Sequence, residues 1–364
     1  MSPELPAPPL GPVVLIGAGL IGTSIGQALT AAGVQVEVRD ANPSHARVAV
    51  GRGAGTQTPV DPAEVALVVV AVPPRAIAAV VDEALDVYRN AVVTDVGSVK
   101  EPQLRELIDH RSLSRYVGSH PMAGSHLAGP LAASADLFSE RTWVITPHED
   151  SAPEAIATVE ALARLCDARL ITMAPADHDR AVGRVSHLPH LVSVLMAGQL
   201  AQMSPDDLAL AGQGVRDVTR IAGGDPGLWE QIVSANARVL VPELQALADR
   251  LSELTQRLER TEPDVRPLLA QANAGVRKLP GKHGASAVDY ASIVIEIPDA
   301  PGSLARLFGD VDAAGVNVED VAIEHDPMRL VGHLRIYVHP DREQALTRAM
   351  TDAGWRVSTA APPL

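Results

Sequence analysis

The spacing of hydrophobic positions changes along the chain, and the changes predict regions of different architecture. Up to about residue 176, short and almost wholly apolar runs, such as Val13–Ile16 and residues 66–72, alternate with helix-compatible segments. Strands that are buried on both faces have such continuous apolar runs. Residues 13–176 are therefore predicted to form an α/β domain with a parallel sheet that helices cover on both faces.

Strand signals stop after this region. Between residues 177 and 275, apolar residues recur at helical spacing, as at Leu188, Leu191 and Leu195. Pro242 lies within this block and is expected to kink or break its helix. So much apolar helix in one block predicts an all-α dimerisation domain that packs between two subunits, and hence a homodimer. A monomeric helical bundle is the alternative.

The two ends of the chain show further patterns. Residues 1–12 are rich in proline and are predicted to be disordered, and residues 276–290, rich in Gly, Lys and Ser, are predicted to be a linker. In residues 291–364, strand and helix signals follow one another in the order βαββαβ. This order is typical of a small α+β domain of the split-βαβ type.

A glycine-rich turn, GAGLIG at residues 17–22, lies between the first apolar run and a helical segment, and Asp40 ends the next apolar run. This spacing is typical of a Rossmann-type dinucleotide-binding site, in which the glycines form the turn and the helix N-terminus faces the pyrophosphate. The carboxylate of Asp40 favours NAD, since it would bind ribose hydroxyls and repel a 2′-phosphate. Arg39 leaves NADP open. The candidate cofactor-binding residues are Gly17, Gly19, Leu20, Ile21, Gly22, Asp40, Val72 and Ser98.

Composition narrows the classes of partner. The net charge of −14 and the pI of about 5.3 argue against binding to nucleic acid or to an anionic membrane. The single cysteine, Cys166, excludes an internal disulfide and a cysteine-rich metal site. The N-terminal residues lack the features of a signal peptide, and no uncharged apolar run is long enough to span a bilayer. We therefore expect a cytoplasmic protein.

Four further segments can carry chemistry: TDVGSVK at residues 94–100, SHPMAG at 119–124, SHLPH at 186–190 and RDVTRIA at 216–222. The first two follow strand-like runs, and ligands of open parallel sheets bind beyond the carboxyl ends of the strands. His120 is the candidate general base, because an imidazole titrates near neutral pH. Arg220 is a candidate for binding a carboxylate, which its planar guanidinium suits.

With these motifs in this order, residues 13–275 resemble the TyrA family of prephenate and arogenate dehydrogenases. The resemblance implies oxidative decarboxylation of a cyclohexadienol, with hydride passing to NAD. It implies that His120 accepts a hydrogen bond or proton from the C4 hydroxyl and that Ser98 orients His120 and the nicotinamide. It further implies that Arg220 binds a substrate carboxylate and that Ser186 and His190 contact the substrate side chain or the product.

The last domain resembles an ACT domain, a regulatory module that often binds an amino acid. Its DAPGSL segment, residues 299–304, and its GVNV segment, residues 315–318, match that family's loop and interface segments. The resemblance implies feedback control by an amino acid, with tyrosine as the expected effector. The candidate effector-binding residues are Asp299, Gly302, Leu304 and Asn317.

Several alternatives remain open. The family usually has Glu at position 126, where this chain has His126; loss of that carboxylate favours prephenate over arogenate, and 4-amino-4-deoxyprephenate is a third candidate. A catalytically silent sensor of NAD and an amino acid is the non-enzymatic alternative. No metal site is expected, although His187 and His190 share a helical face near His178. His187 is expected to be structural, and Lys100 either supports the cofactor loop or has no role in the site.

Overall fold

The computed structural model describes residues 10–124, 128–279, 290–298, 300–326 and 331–359. The chain divides between Arg250 and Leu251 into two compact units. The predicted disordered segment and most of the predicted linker lie outside the described residues. None of the helices in the described ranges combines the length and hydrophobicity needed to cross a membrane.

The first unit begins with an α/β domain. Its strands are β1 (Val13–Ile16), β2 (Val36–Arg39), β3 (Leu67–Val70), β4 (Val92–Asp95), β5 (Gly118–Pro121), β6 (Thr142–Thr146) and β7 (Arg169–Thr172). Its helices are α1 (Leu20–Ala31), α2 (Pro43–Gly51), α3 (Pro74–Val87), α4 (Glu101–Leu107) and α5 (Pro153–Leu165). Short 3₁₀ turns occupy Leu113–Arg115 and Pro130–Ala132.

Four strands form a parallel sheet, as the apolar runs predict, and their order is β2-β1-β3-β4. Two hydrophobic clusters, one built around Leu15 and Leu29 and the other around Val68 and Val81, hold the helices against it. The carboxyl ends of β1, β3 and β4 therefore lie side by side, and the glycine turn and the TDVGSVK segment follow two of them.

The expectation of a wholly parallel sheet is wrong beyond β4. A single parallel bridge, between Val93 and Tyr116, connects β4 to the segment before β5. β5 pairs antiparallel with β6, which in turn pairs parallel with β7. A parallel pair needs a crossover, usually a helix. Between β5 and β6 the described residues form only the short turn Pro130–Ala132, so the chain returns in the opposite direction.

Helices follow the α/β domain, as predicted. They are α6 (Pro175–Val182), a π-helical turn (Gly183–His187), α7 (Leu188–Leu200), α8 (Pro205–Ala209), α9 (Gln213–Thr219), a 3₁₀ turn (Arg220–Gly223), α10 (Pro226–Ala235), α11 (Ala237–Leu258) and α12 (Arg266–Val276). Pro242 lies inside α11 without breaking it, contrary to one of the two predicted outcomes. The helical hydrogen bond that Pro242 cannot make would go to the carbonyl of Arg238. Since Arg238 is in the first turn of α11, few helical hydrogen bonds precede the proline.

The last domain has the predicted βαββαβ order: β8 (Ala291–Pro298), α13 (Ser303–Ala313), β9 (Asp320–Asp326), β10 (Val331–Val338), α14 (Glu343–Asp352) and β11 (Arg356–Thr359), with a 3₁₀ turn at Pro340–Arg342. The antiparallel sheet has the order β11-β8-β10-β9. Ile295, Leu334, Leu307 and Leu346 are fully buried between the sheet and the two helices.

Candidate active site

The glycine turn has the close packing that a dinucleotide-binding loop requires. A Cβ on Gly17 would lie 2.3 Å from the carbonyl oxygen of Ala71, and Gly17 also has a φ of +107°. A Cβ on Gly22 would lie 2.0 Å from the carbonyl oxygen of Gly17. Gly19, in contrast, faces open space and is the N-cap of α1, whose N-terminus can face an anionic phosphate. Leu20 and Ile21, in the first turn of α1, are partly exposed.

Asp40 holds the same turn from the end of β2. One carboxylate oxygen accepts a hydrogen bond from the backbone N–H of Ala18 at 2.7 Å, and the other accepts one from Asn42 N–H at 2.7 Å. The neighbouring Arg39 donates to Glu37 at 2.6 Å and lies over the ring of Tyr88. The guanidinium of Arg39 thus interacts with Glu37 and Tyr88 rather than with the carboxylate of Asp40.

The loop after β4 is organised around a buried ion pair. Lys100 and Asp95 are both nearly inaccessible, and the Lys100 ammonium group donates to the Asp95 carboxylate and to the backbone oxygen of Ser119. Tyr116 donates to the second Asp95 oxygen at 2.7 Å. Burial lowers the pKa of Lys100, although Asp95 opposes the shift. The pair fixes the loop that carries Ser98, which is partly exposed, and joins that loop to β5.

His120 lies on β5, directly after Ser119, and its ring is partly exposed. Its Nδ1 is 2.9 Å from Nε2 of the fully buried His178 on α6, and Nδ1 of His178 is 2.8 Å from the carboxylate of Asp179. Burial lowers the pKa of His120 well below its usual value, and the charge of Lys100 adds to this effect. The lowered pKa favours the neutral form of His120, which is the form in which an imidazole can accept a proton.

The SHLPH motif begins in the π-helical turn. Pro189 has no N–H and would crowd the carbonyl of Val185, so the wider turn before it accommodates the proline. His187 is buried, and its Nδ1 is 3.0 Å from the side-chain amide of Asn236. Burial lowers the pKa of His187 to about 4. These contacts agree with a structural role for His187, while Ser186 in the same turn is partly exposed.

His190 connects this helix to the RDVTRIA motif. Its ring stacks on Trp229, with the ring centroids 3.4 Å apart. Burial lowers its pKa, and a hydrogen bond to the backbone of Ile221 opposes that shift. Ile221 directly follows Arg220 in the 3₁₀ turn, and Arg220 is exposed. The carboxylate-binding candidate is thus placed beside His190 with its side chain open to solvent.

Hydrogen bonds connect three of the four motifs into one network, and His190 connects SHLPH to the fourth. The backbone N–H of Lys100 and that of Glu101 each donate to Asp179 at 2.8 Å, and Asn236 joins the carbonyl of Asp179 to His187. Local sequence patterns predicted no functional role for Asp179, Asn236 or Trp229, because their partners lie 49 to 79 positions away or in another helix. Within the described ranges, no group of three metal-ligating side chains occurs.

A second candidate site lies in the last domain. A cavity of about 360 Å³ is lined by Ile297, Pro298, Ala300, Pro301, Gly302, Ser303, Leu304, Ile323 and Gly332. Gly302 has a φ of +85° and is the N-cap of α13. Asn317 donates to Glu319 and is not among the lining residues. Asp299 and His126 lie outside the described residues.

The glycine turn, the adjacent strand ends and the buried network define a nucleotide-binding protein of the dehydrogenase class, with a helical domain that carries part of the site. Residues 25–172 match the family described as prephenate dehydrogenase, nucleotide-binding domain, and residues 174–270 match prephenate dehydrogenase, dimerization domain. The probable prephenate dehydrogenase NovF of Streptomyces niveus is 32% identical over 355 residues, which cover 94% of this chain and 98% of that protein. The chain therefore belongs to the prephenate dehydrogenase family.

Solved structures agree with this assignment. Prephenate dehydrogenase from Aquifex aeolicus, in complex with hydroxyphenyl propionate and NAD⁺, is 26% identical with a TM-score of 0.67, over 73% of this chain and 97% of that chain. Arogenate dehydrogenase from Synechocystis is 27% identical with a TM-score of 0.60, over 73% of this chain and 99% of that chain. The family matches end at residue 270, so they do not include the last domain.

Proposed function

We propose that the protein is an NAD-dependent prephenate dehydrogenase that converts prephenate to 4-hydroxyphenylpyruvate in tyrosine biosynthesis. The observation that carries the proposal is the placement of His120, a neutral and partly exposed imidazole that a buried network holds at the end of β5. Family membership and the similarity to the Aquifex aeolicus enzyme, which was solved with NAD⁺, support the same reaction.

The glycine turn and Asp40 fit NAD⁺, and the other candidate residues each have a separate part in the reaction. When bound, NAD⁺ would accept the hydride from C4 of the substrate. His120 accepts the proton of the C4 hydroxyl, while the electrons of the breaking bond to the carboxylate enter the ring and CO₂ leaves. Ser98 orients the reacting groups, Arg220 binds a carboxylate of the substrate, and Ser186 and His190 contact its side chain.

Asp40 selects NAD over NADP in this proposal, and Val72, two residues after β3, contributes to the cofactor site. Arg39 donates to Glu37 and lies over the ring of Tyr88, and these contacts hold its guanidinium away from a role in binding a 2′-phosphate. Asp40→Ala should weaken NAD binding by about 10- to 100-fold, the effect of losing hydrogen bonds to a charged group. Steady-state KM values for NAD and NADP test this; a wild-type preference for NADP would exclude it.

Arogenate is the main alternative substrate, and the similarity to the Synechocystis arogenate dehydrogenase supports this alternative. 4-Amino-4-deoxyprephenate is a third possibility. Steady-state NADH formation with purified protein and each of the three substrates separates them, and prephenate is expected to give the highest kcat/KM. Absence of turnover with all three, combined with measurable NAD binding, would instead support the sensor.

The last domain is proposed to be an ACT-type regulatory module that binds tyrosine. The cavity beside Gly302 and the N-terminus of α13 supports this, because backbone N–H groups at a helix N-terminus can bind a carboxylate. Gly302 and Leu304 line the cavity, and Asp299 and Asn317 remain candidates from the sequence. Calorimetry with tyrosine, phenylalanine and tryptophan tests the proposal, and no heat with any of them would leave the domain a structural role.

We also propose that the protein is a homodimer in the cytoplasm. Large apolar side chains of the helical region are solvent-exposed in a single chain, among them Leu195, Leu210, Leu251 and Leu258. The matching family is named for dimerisation, which agrees with this exposure. Light scattering on the purified protein should give twice the chain mass of 38.1 kDa; a monomer at micromolar concentration would contradict the proposal.

A further inference from the structure

The buried histidine behind His120 occupies a position that determines where His120 carries its proton. His178 is fully inaccessible and lies between two partners, with Asp179 at Nδ1 and His120 at Nε2. Every contact between the three side chains is a hydrogen bond of 2.8–2.9 Å. The series runs from a buried carboxylate to a partly exposed ring in the candidate active site.

Asp179 is the fixed end of the series. Its carboxylate accepts hydrogen bonds from the backbone N–H groups of Lys100 and Glu101, each at 2.8 Å, in addition to the contact with His178. An ionised carboxylate only accepts hydrogen bonds. Nδ1 of His178 must therefore carry a hydrogen, and in a neutral ring Nε2 of His178 is then an acceptor.

The protonation of His178 in turn determines which nitrogen of His120 carries a hydrogen. Its Nδ1 faces an acceptor, so Nδ1 carries the hydrogen and Nε2 keeps its lone pair. We propose that Asp179 and His178 are positioning residues that lock His120 in the Nδ1–H tautomer, with Nε2 free to accept the substrate's hydroxyl proton. This inference rests on the proposed function for its catalytic consequence, but the tautomer itself does not depend on the substrate.

The surroundings of His120 favour its neutral form. Burial of the ring and the nearby ammonium group of Lys100 both disfavour a positive charge on His120. The lowered pKa of His120 is consistent with a neutral ring. After proton transfer, the charge that forms on His120 can be stabilised through His178 by the carboxylate of Asp179, as in other acid–histidine pairs.

The tautomer can be measured directly on the full-length protein. Ring-¹⁵N-labelled histidine and long-range ¹H–¹⁵N spectra report which nitrogen of each of the 12 histidines is protonated. The His120→Asn and His178→Gln variants assign the two signals. The Nδ1–H form is expected for both rings at neutral pH in the wild-type protein. An Nε2–H tautomer of His120, or a doubly protonated His178, would overturn the proposal.

Kinetics provide the second readout. His178→Phe keeps the ring volume but removes the acceptor, so His120 should lose its fixed tautomer and kcat should fall by about 100-fold, the effect of misplacing a catalytic group. His178→Gln, whose amide oxygen can accept from His120, should restore part of kcat. The KM for NAD should stay unchanged in both. His110→Phe, a histidine whose acidic neighbours Asp82 and Asp86 are on α3, is the matched control with unchanged kcat.

The outcomes separate this inference from the proposed function. A wild-type kcat in His178→Phe would remove the positioning role, whatever the substrate. If His178→Phe does not fold, the spectra of the wild-type protein and the kcat of His178→Gln still decide. If the wild-type protein turns over none of the three substrates, the proposed function fails, and the spectra alone then confirm or refute the tautomer.

Discussion

The two ends of the described chain bury different kinds of side chain. In the first unit, charged and polar groups such as Lys100, Asp179 and His178 are almost inaccessible, and each has hydrogen-bond partners. In the last domain, among the residues that the structure describes from 290 to 359, Ser292 is the only buried polar residue. Its core consists of residues such as Ile295, Leu334 and Leu346.

This difference separates what stabilises the fold from what prepares a reaction. Burying a charged group costs free energy unless other groups compensate for it, whereas apolar burial stabilises without specific partners. A protein therefore retains buried charges mainly where their positions serve a purpose. In the first unit they surround His120, whose proposed role as a general base needs a fixed orientation. The described residues of the last domain offer a ligand a cavity and a helix N-terminus.

The largest effect is expected at His120 itself. His120→Asn removes the base but leaves a side chain that can still bond to His178, so the fold and NAD binding should change little. We expect kcat to fall by a factor of about 10²–10⁴, which is the usual contribution of general-base catalysis. Single-turnover NADH formation measures the chemical step. Near-wild-type turnover would show that the buried network does not serve a base at this position.

A large loss of stability is expected when the buried ion pair is broken. Lys100→Met leaves Asp95 charged and buried, so the free energy of unfolding should fall by about 3–5 kcal/mol. Arg105→Met is the matched control on α4, because it removes an exposed pair with Glu101 at 2.8 Å and should cost at most about 1 kcal/mol. Urea unfolding of both variants measures the difference. Equal and small losses would mean that the pair is not essential for stability.

The same contrast explains how much the sequence could predict. Apolar runs predicted β1 to β4 and their parallel pairing, although not their order in the sheet, and periodicity predicted the helical block and the βαββαβ order. These features depend on patterns within a few neighbouring residues. The motifs identified His120 and the glycine turn, but not the antiparallel pairing of β5 with β6, since strand direction depends on the connection rather than on the strand residues.

The partners of the catalytic candidates were beyond the reach of local patterns. Asp179 meets Lys100 across 79 positions, and His178 meets His120 across 58. The sequence raised His178 only as part of a metal site. A histidine followed by an aspartate predicts no function by itself. The pair can be recognised as partners of His120 only in the fold, where α6 places His178 against His120 on β5. The predicted roles of Ser98, Ser186, His190 and Arg220 remain predictions.

A smaller effect is expected at Arg220. Its exposed guanidinium lies in the turn beside His190, and loss of a charged hydrogen bond to a substrate carboxylate should raise KM by about 10- to 100-fold without unfolding the protein. Arg216→Ala is the matched control, because Arg216 is also exposed and lies one turn earlier, on α9. Steady-state kinetics with prephenate compare the two. An unchanged KM in Arg220→Ala would remove this residue from the site.

The smallest effect on basal activity is expected from removing the last domain. A stop at Lys282 deletes the whole βαββαβ unit, which has its own sheet and apolar core, and leaves every motif of the candidate active site in the chain. The kcat of the truncated protein should therefore equal that of the full-length protein, provided that its thermal unfolding temperature shows an intact fold. Inhibition by tyrosine should be lost, because regulation requires two sites coupled by a free energy that is typically about 1–3 kcal/mol.

Truncated protein that stays equally sensitive to tyrosine would place the effector in the first unit. A folded truncated protein without activity would mean that the apolar core of the last domain also supports the reaction, and the contrast between the two regions would fail.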